Sequence, residues 1–496
     1  MKRGLALSLA LALALSLLTG CEYFVPDSIL EEAEKNRPSF LPRGSDPPGS
    51  EGPSENAAGG VDEYGFTVFP EGNYLADPKF DTDEFLPDYD ADPSFAHGYS
   101  TNHYALCRTD DTIYTLHNEY SNSGDAFSCL MMYTDKATGI SGPLCGKPEC
   151  LHRDENCNAY VFRHLSPGFG LSIYEGKLYW VNGMAEITRM NPDGTSRETV
   201  CRIHGDPLKN TNNYRMLLFH RGYLYLAGLN QTIINGKEGS IVSVRAYSLE
   251  SGEGFTVWEK TVDDYAQRCL IKFVGNELYI MPTYFNYEDR ENHSGSYSIM
   301  ELYRWDSRTR QGELLYSETS TPGGPHFEGR SFMPVPGDGI YFHAVGKAID
   351  GGGFSVQYVC KYSFASGEVE TVLAFNDKED QPLGEGLDKP YFTWDHIVAD
   401  YTERLEDGSY DRVLYLFDHD GNLVLTRHLG KYGIGEFMGA DDEYIYFLSM
   451  LAQWGDPDEN GDRVIHHQDD FVAVPLDDRE IIVIPVYDKT EIISRG

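Results

Sequence analysis

Residues 171–200 read LSIYEGKLYWVNGMAEITRMNPDGTSRETV: an apolar strand, Leu178-Tyr179-Trp180, a second strand ending at Met190, and the tight turn Asn191-Pro192-Asp193-Gly194. Alternating apolar residues bounded by Gly, Pro, Asp and Asn indicate strands and hairpins, and almost no stretch of this chain carries helical periodicity. The same strand–turn–strand unit recurs as LMMYTDKATGIS, VRAYSLESGEGFTV, LYRWDSRTRQGELL, VCKYSFASGEVETV, LYLFDHDGNLVLT and FVAVPLDDREIIVI. Its matching apolar positions are Tyr133, Met190, Tyr247, Trp305, Tyr362, Phe417 and Val474, separated by 57, 57, 58, 57, 55 and 57 residues. A further apolar strand precedes each copy, as in DTIYTL, RGYLYLAG and DEYIYFLS. The sixth, near DHIVADY, is recognised by spacing alone.

Four short antiparallel strands repeated seven times at this spacing indicate an all-β chain folded as a β-propeller of seven four-stranded blades. One blade cannot bury both its faces, whereas a ring buries each face against a neighbour. A β-sandwich array and a β-helix are the competing architectures, and a count of six to eight blades stays open. Closure is open too: either the final strand belongs to blade seven, or residues 64–75 (YGFTVFPEGNYL) complete a shared blade. In its Leu178-Tyr179-Trp180 strand and its Asn191–Gly194 turn, the second copy resembles repeats of the YWTD and TolB-like propellers. The YSLESGEGFTVW segment, Tyr247 to Trp258, is similar to a repeat of the quinoprotein-like propellers. The resemblance covers the repeat grammar of roughly 400 residues and implies a fold; propellers host many unrelated activities.

The turns between the third and fourth strands of each unit (C and D) are tight. The B–C connections are read as long loops: Glu119–Phe127, Leu229–Ser240, Tyr284–Ser296, Gly346–Phe354, Tyr401–Tyr410 and Ala452–His467. Elaboration on one rim is the layout of a ligand-binding face. Tyr284, Tyr287, His293 and Trp454 are its candidate ligand-stacking rings.

The sharpest local signal is Cys145-x4-Cys150-x-His152-x4-Cys157, which the repeat places just after strand D of the first blade, on the same rim. Three thiolates and one imidazole suffice for a tetrahedral zinc site. An exported compartment also permits a disulfide, Cys150–Cys157 or Cys145–Cys157, and both readings stand. The segment is similar to ones in lipoproteins of Gram-positive anaerobes, which implies a Gram-positive host. Cys107, Cys129, Cys201, Cys269 and Cys360 lie in or beside strands and are expected to be small buried hydrophobes. A weaker candidate is Asp456, Asp458, Asn460 and Asp462, followed in part by the calcium-loop pattern with Gly461 at its turn. Arg463 and His467 depart from that pattern, and a solvated acidic loop is the alternative.

The N-terminus supplies an address. Lys2 and Arg3 precede the apolar run Gly4–Leu18, which is too short to span a bilayer comfortably, and Leu18-Thr19-Gly20-Cys21 follows. This tetrapeptide resembles the lipobox of bacterial lipoproteins. The resemblance implies cleavage before Cys21, a diacylglycerol (with palmitate-type acyl chains) on its thiol, and anchoring on the extracytoplasmic face of the membrane. Residues 1–20 are thus read as a signal peptide, 21–96 as anchor and flexible tether, and 97–496 as the propeller. Twelve of the twenty residues at 41–60 are Gly, Pro or Ser, and 77–93 hold seven acids against one lysine.

The net charge of −38 argues against nucleic acid and against docking on anionic headgroups. No H-E-x-x-H, G-x-S-x-G, Walker A loop or placed dinucleotide fingerprint occurs, and no catalytic residue is assigned. The sequence is therefore read as a membrane-anchored binding or scaffold lipoprotein presenting a propeller rim to a glycan, peptide or protein. A glycan-active hydrolase or lyase with its site in the funnel is the alternative.

Overall fold

The computed structural model describes residues 60–69, 106–109, 111–119, 127–152, 156–163, 171–181, 186–203, 218–234, 236–320, 326–327, 331–348, 355–375, 390–393, 395–405, 410–430, 435–440, 443–454 and 463–493. The signal peptide, Cys21, most of the tether and the Asp456–Asp462 loop lie outside these residues.

The strands form seven separate antiparallel sheets, each built from consecutive segments of chain. Blade one holds β1 (Leu106–Arg108), β2 (Thr112–Glu119), β3 (Phe127–Asp135), β4 (Ser141–Pro143) and β5 (Tyr160–Arg163). Blade two holds β6 (Leu171–Tyr174), β7 (Lys177–Val181), β8 (Glu186–Met190) and β9 (Glu198–Arg202). Blade three holds β10 (Leu218–His220), β11 (Tyr223–Ile234), β12 (Lys237–Ser248) and β13 (Gly254–Val262). Blade four holds β14 (Tyr265–Val274), β15 (Glu277–Asp289), β16 (Ser294–Asp306) and β17 (Gln311–Thr319). Blade five holds β18 (Phe332–Val335), β19 (Gly339–Ala348), β20 (Ser355–Ser363) and β21 (Val369–Phe375). Blade six holds β22 (Tyr391–Phe392), β23 (Ile397–Arg404), β24 (Tyr410–Phe417) and β25 (Leu423–His428), and blade seven β26 (Gly435–Ala440), β27 (Tyr444–Trp454), β28 (Arg463–Pro475) and β29 (Ile482–Ile493). The chain is a seven-bladed propeller, and blade six is as complete as its neighbours.

The core lies between blades, as the repeat demands. Trp180 and Met190 of blade two pack with Met131 and Leu144 of blade one. Trp258 of blade three meets Leu278, Tyr303 and Trp305 of blade four. Phe332 and Phe342 of blade five meet Tyr279 and Leu302 of blade four. The C–D turns of blades two, four and six share one chemistry: Asp193, Asp306 and Asp418 each accept a backbone N–H from two to four residues on, the local bond that makes Asp a turn residue. In the turns of blades one to six a left-handed residue recurs: Gly139, Gly194, Gly252, Gly367 and Gly421, but Arg310 (φ 54°) in blade four.

Three features depart from the sequence reading. The long B–C connections of blades three and four are strand, because β11–β12 and β15–β16 stay paired to Ile234↔Lys237 and Asp289↔Ser294. The Cys/His segment interrupts strand D of blade one instead of following it. Residues 60–69, read as tether, pack on the body as a strap along the free edge of β13. Phe66 pairs with Trp258 as an antiparallel bridge, and the Trp258 indole N–H donates to the Tyr64 carbonyl at 2.9 Å. Phe66 is 1% exposed, among Trp258, Tyr303 and Trp305. No strand is shared between the chain ends among the described residues: YGFTVF does add to a blade, but to the outside of blade three.

Candidate metal centre and loop rim

In blade one, β4 and β5 together make the outermost strand. Leu144 N–H donates to the Met131 carbonyl (2.8 Å), and Met131 N–H donates to the Ala159 carbonyl (2.7 Å). Leu144 and Ala159 thus both abut Met131, and residues 145–158 leave the ladder between them as an excursion on the outer edge. The outermost strand lies farthest from the central channel, so this is not a funnel site.

The excursion brings Cys145, Cys150, His152 and Cys157 together, with all four donor atoms within 4.8 Å of one another. A zinc tetrahedron with bonds of about 2.3 Å has edges of about 3.7 Å, so the donors need close by an ångström or so. His152 turns Nδ1 toward Cys157 Sγ, 3.2 Å away. Cys157 is buried beside Leu130 and Ala159, while Cys145 and Cys150 are half-buried. Glu149 (φ 61°) and His152 (φ 55°) both hold left-handed backbone, a cost of about 1–2 kcal/mol each that a loop sustains where something else fixes its shape.

The sulfurs differ. Burial works to raise Cys145, but backbone N–H groups of Lys147 and Asn158 and the thiols of Cys157 and Cys150 outweigh it and hold Cys145 below the usual thiol range. Burial, then the bond with Cys145, pushes Cys157 up to about 12. Of the two, Cys145 is the more readily ionised, and ligation of a cation would require both as thiolates. Around the loop, the Lys147 ammonium donates to the Asn156 carbonyl, the Asn158 amide to the Gly194 carbonyl, and Arg197 to the Tyr160 carbonyl. Leu151, between Cys150 and His152, is 77% exposed.

On the rim the candidates separate. Tyr284 is 1% exposed and belongs to the blade three–four core, where burial raises its hydroxyl first and the Glu301 charge adds to that; no ligand reaches it. Its position in β15 is strand, and the alternation that puts it inward puts Phe285 and Tyr287 outward. Tyr287 is half-buried, meeting Phe285 edge-on at 4.7 Å and His293 at 5.1 Å. His293 stands exposed in the turn between β15 and β16. Trp454 ends β27, and its side chain lies outside the described residues.

Sequence reasoning missed the residue that joins these arms. Arg290, at the tip of the blade-four arm, donates to the Glu238 carbonyl at 3.0 Å and to the Asp263 carbonyl, and lies 5.5 Å over the Tyr265 ring. Tyr265 donates to the Glu238 carboxylate (2.6 Å), and Asn286 to Asp264 (2.5 Å). No sequence pattern announces a long-range brace of this kind. Cys107, Cys201 and Cys269 are buried as expected, while Cys360 is half-buried.

No family model matches the chain, and no curated protein matches it. Solved structures resemble it in fold. An oligogalacturonate lyase in complex with manganese is 10% identical, covering 71% of this chain and 94% of its own, at a TM-score of 0.39. The oligogalacturonate lyase of Vibrio parahaemolyticus is 9% identical over 70% of this chain and 94% of that one (TM-score 0.40). An acylaminoacyl peptidase of Pyrococcus horikoshii is 13% identical at a TM-score of 0.41; the match covers 75% of this chain and 58% of that protein's length.

Proposed function

We propose that the protein is a membrane-anchored, extracytoplasmic binding or scaffold lipoprotein, tethered through Cys21, that presents its rim to a glycan, peptide or protein partner. The observation that carries this reading is the Arg290 brace between the arms of blades three and four. A surface fixed before contact loses little conformational entropy on binding, and Phe285, Tyr287 and His293 supply flat rings beside it. The Cys145/Cys150/His152/Cys157 centre serves from outside. Its sulfur-rich donor set suits zinc, and four protein ligands leave no position for water or substrate, so the ion is structural. A disulfide would use two of the three sulfurs and would leave His152 and the third without a role.

The test uses residues 60–496 on glycan and peptide arrays, with Tyr287→Ala and Arg290→Ala alongside. Both variants are expected to bind at least tenfold more weakly, with the thermal midpoint of Tyr287→Ala nearly unchanged. Wild-type affinity in both variants overturns the rim reading. Release of oligosaccharide or peptide fragments by the wild type replaces binding with a hydrolase or lyase. In cells, palmitate labelling should vanish in Cys21→Ala.

A further inference from the structure

We infer that the metal centre is a clasp across the seam between blades one and two, so that ion occupancy and contact between these blades depend on each other. This rests on the metal reading above.

Both ends of the 145–158 excursion touch blade two. At the near end, Leu144 shares an apolar cluster with Trp180 and Met190, and its carbonyl stands where a Cβ on Gly194 would come within 2.6 Å. Gly194 is therefore the residue that lets the blade-two turn approach so closely. At the far end, Asn158 donates to the Gly194 carbonyl, and Arg197 donates to the Tyr160 carbonyl while lying 5.3 Å over the Trp180 ring.

What draws the two ends together is not an apolar core. Among the described residues of the excursion only Cys157 is buried, beside Leu130 and Ala159. Met131 already holds both ends by backbone hydrogen bonds, and the ion adds a second cross-link outside it, because Cys145 and Cys157 are the ligands nearest those two ends. Charge agrees: zinc on three thiolates and a neutral imidazole carries one net negative charge, and the Arg197 guanidinium lies close enough to Cys157 to interact with it. Zinc thus fixes the ends in the spacing at which Asn158 and Arg197 reach across the seam. By linkage, whatever factor zinc adds to seam closure, a closed seam adds to zinc affinity.

The experiment takes the full chain and measures zinc stoichiometry by native mass spectrometry, zinc affinity by chelator competition, and hydrogen exchange with and without the ion. We expect one zinc per chain. Chelation should raise exchange in residues 144–163 and also in 186–203, with blades four to six unchanged. Asn158→Ala, whose side chain reaches Gly194 and no ligand sulfur, and Arg197→Ala, which removes the cation near Cys157 together with the bond to Tyr160, should each weaken zinc at least tenfold; unchanged exchange in blades four to six reports that each variant is folded. A wild-type protein that binds no zinc overturns the metal reading and the clasp with it. One zinc bound with wild-type affinity by both variants, and exchange raised only within 145–158, overturns the clasp and leaves the metal site standing.

Discussion

Two additions to the seven-blade plan, the 145–158 excursion on blade one and the 60–69 strap on blade three, occupy the same kind of place and are held by opposite means. Both lie on an outermost strand. The strap inserts Phe66 among Trp258, Tyr303 and Trp305, and Phe69 packs edge-on against Phe255 at 5.4 Å. The excursion offers almost no apolar matter and converges four donor atoms instead. A segment that brings its own hydrophobic anchor needs nothing further, whereas one that brings ligands depends on what the surroundings supply. The first kind is stable by default, the second conditionally.

The comparison breaks most visibly at Phe66. Phe66→Ala should cost about 3–5 kcal/mol, read as a lowered urea midpoint, since it empties a filled site between blades. Gly312→Ala should cost a similar amount, because its Cβ would sit 2.4 Å from the Phe66 ring. The double variant should be little worse than either, as both expel the same ring. Full additivity would show that the strap is not anchored there.

Acid sharpens the contrast. His220 at the end of β10 stacks on Phe273 of blade four at 3.7 Å and accepts a bond from Arg221 at Nε2. Burial first, and the Arg221 charge second, push this imidazole down from 6.5 to about 3. The unfolded chain therefore takes up a proton that the native state refuses. The His220 contribution is complete above about pH 6.5 and is lost as pH falls toward 3, at up to about 1.4 kcal/mol per pH unit. With zinc chelated throughout, His220→Phe should flatten stability measured between pH 6.5 and 4.5. An unchanged slope would assign acid sensitivity elsewhere.

The smallest effect is expected at Arg310. Its left-handed backbone costs about 1–2 kcal/mol, offset by stacking on Phe69 at 4.4 Å and Phe255 at 5.1 Å. Arg310→Gly should change stability by less than about 1 kcal/mol in urea unfolding. A gain larger than that would mean that the two stacks contribute little to holding the strap.

The ring was legible in the sequence because it is a periodic burial pattern: Met190, Tyr247, Trp305 and Val474 recur at one spacing and are all buried. The Cys145/Cys150/His152/Cys157 cluster was legible because four potential donors within thirteen residues are local. Its placement was not. The two halves of the interrupted strand, Ser141–Pro143 and Tyr160–Arg163, are too short to show alternation, so the excursion read as a loop after a strand. The arms of blades three and four failed for another reason. Polar, Gly-bearing hairpin tips look like loops, and only the pairing from Leu229 to Ile234 shows them to be strand. The strap's partner was beyond reach, since nothing in YGFTVF names Gly312 as the gap that admits Phe66.

The strap also fixes how the molecule bears load. Any pull on the chain ahead of Gly60 arrives at residues 60–69 before it reaches a blade, and Phe66 resists it. A ten-residue segment thus decides where a force on that side first enters the ring, at the outer edge of blade three.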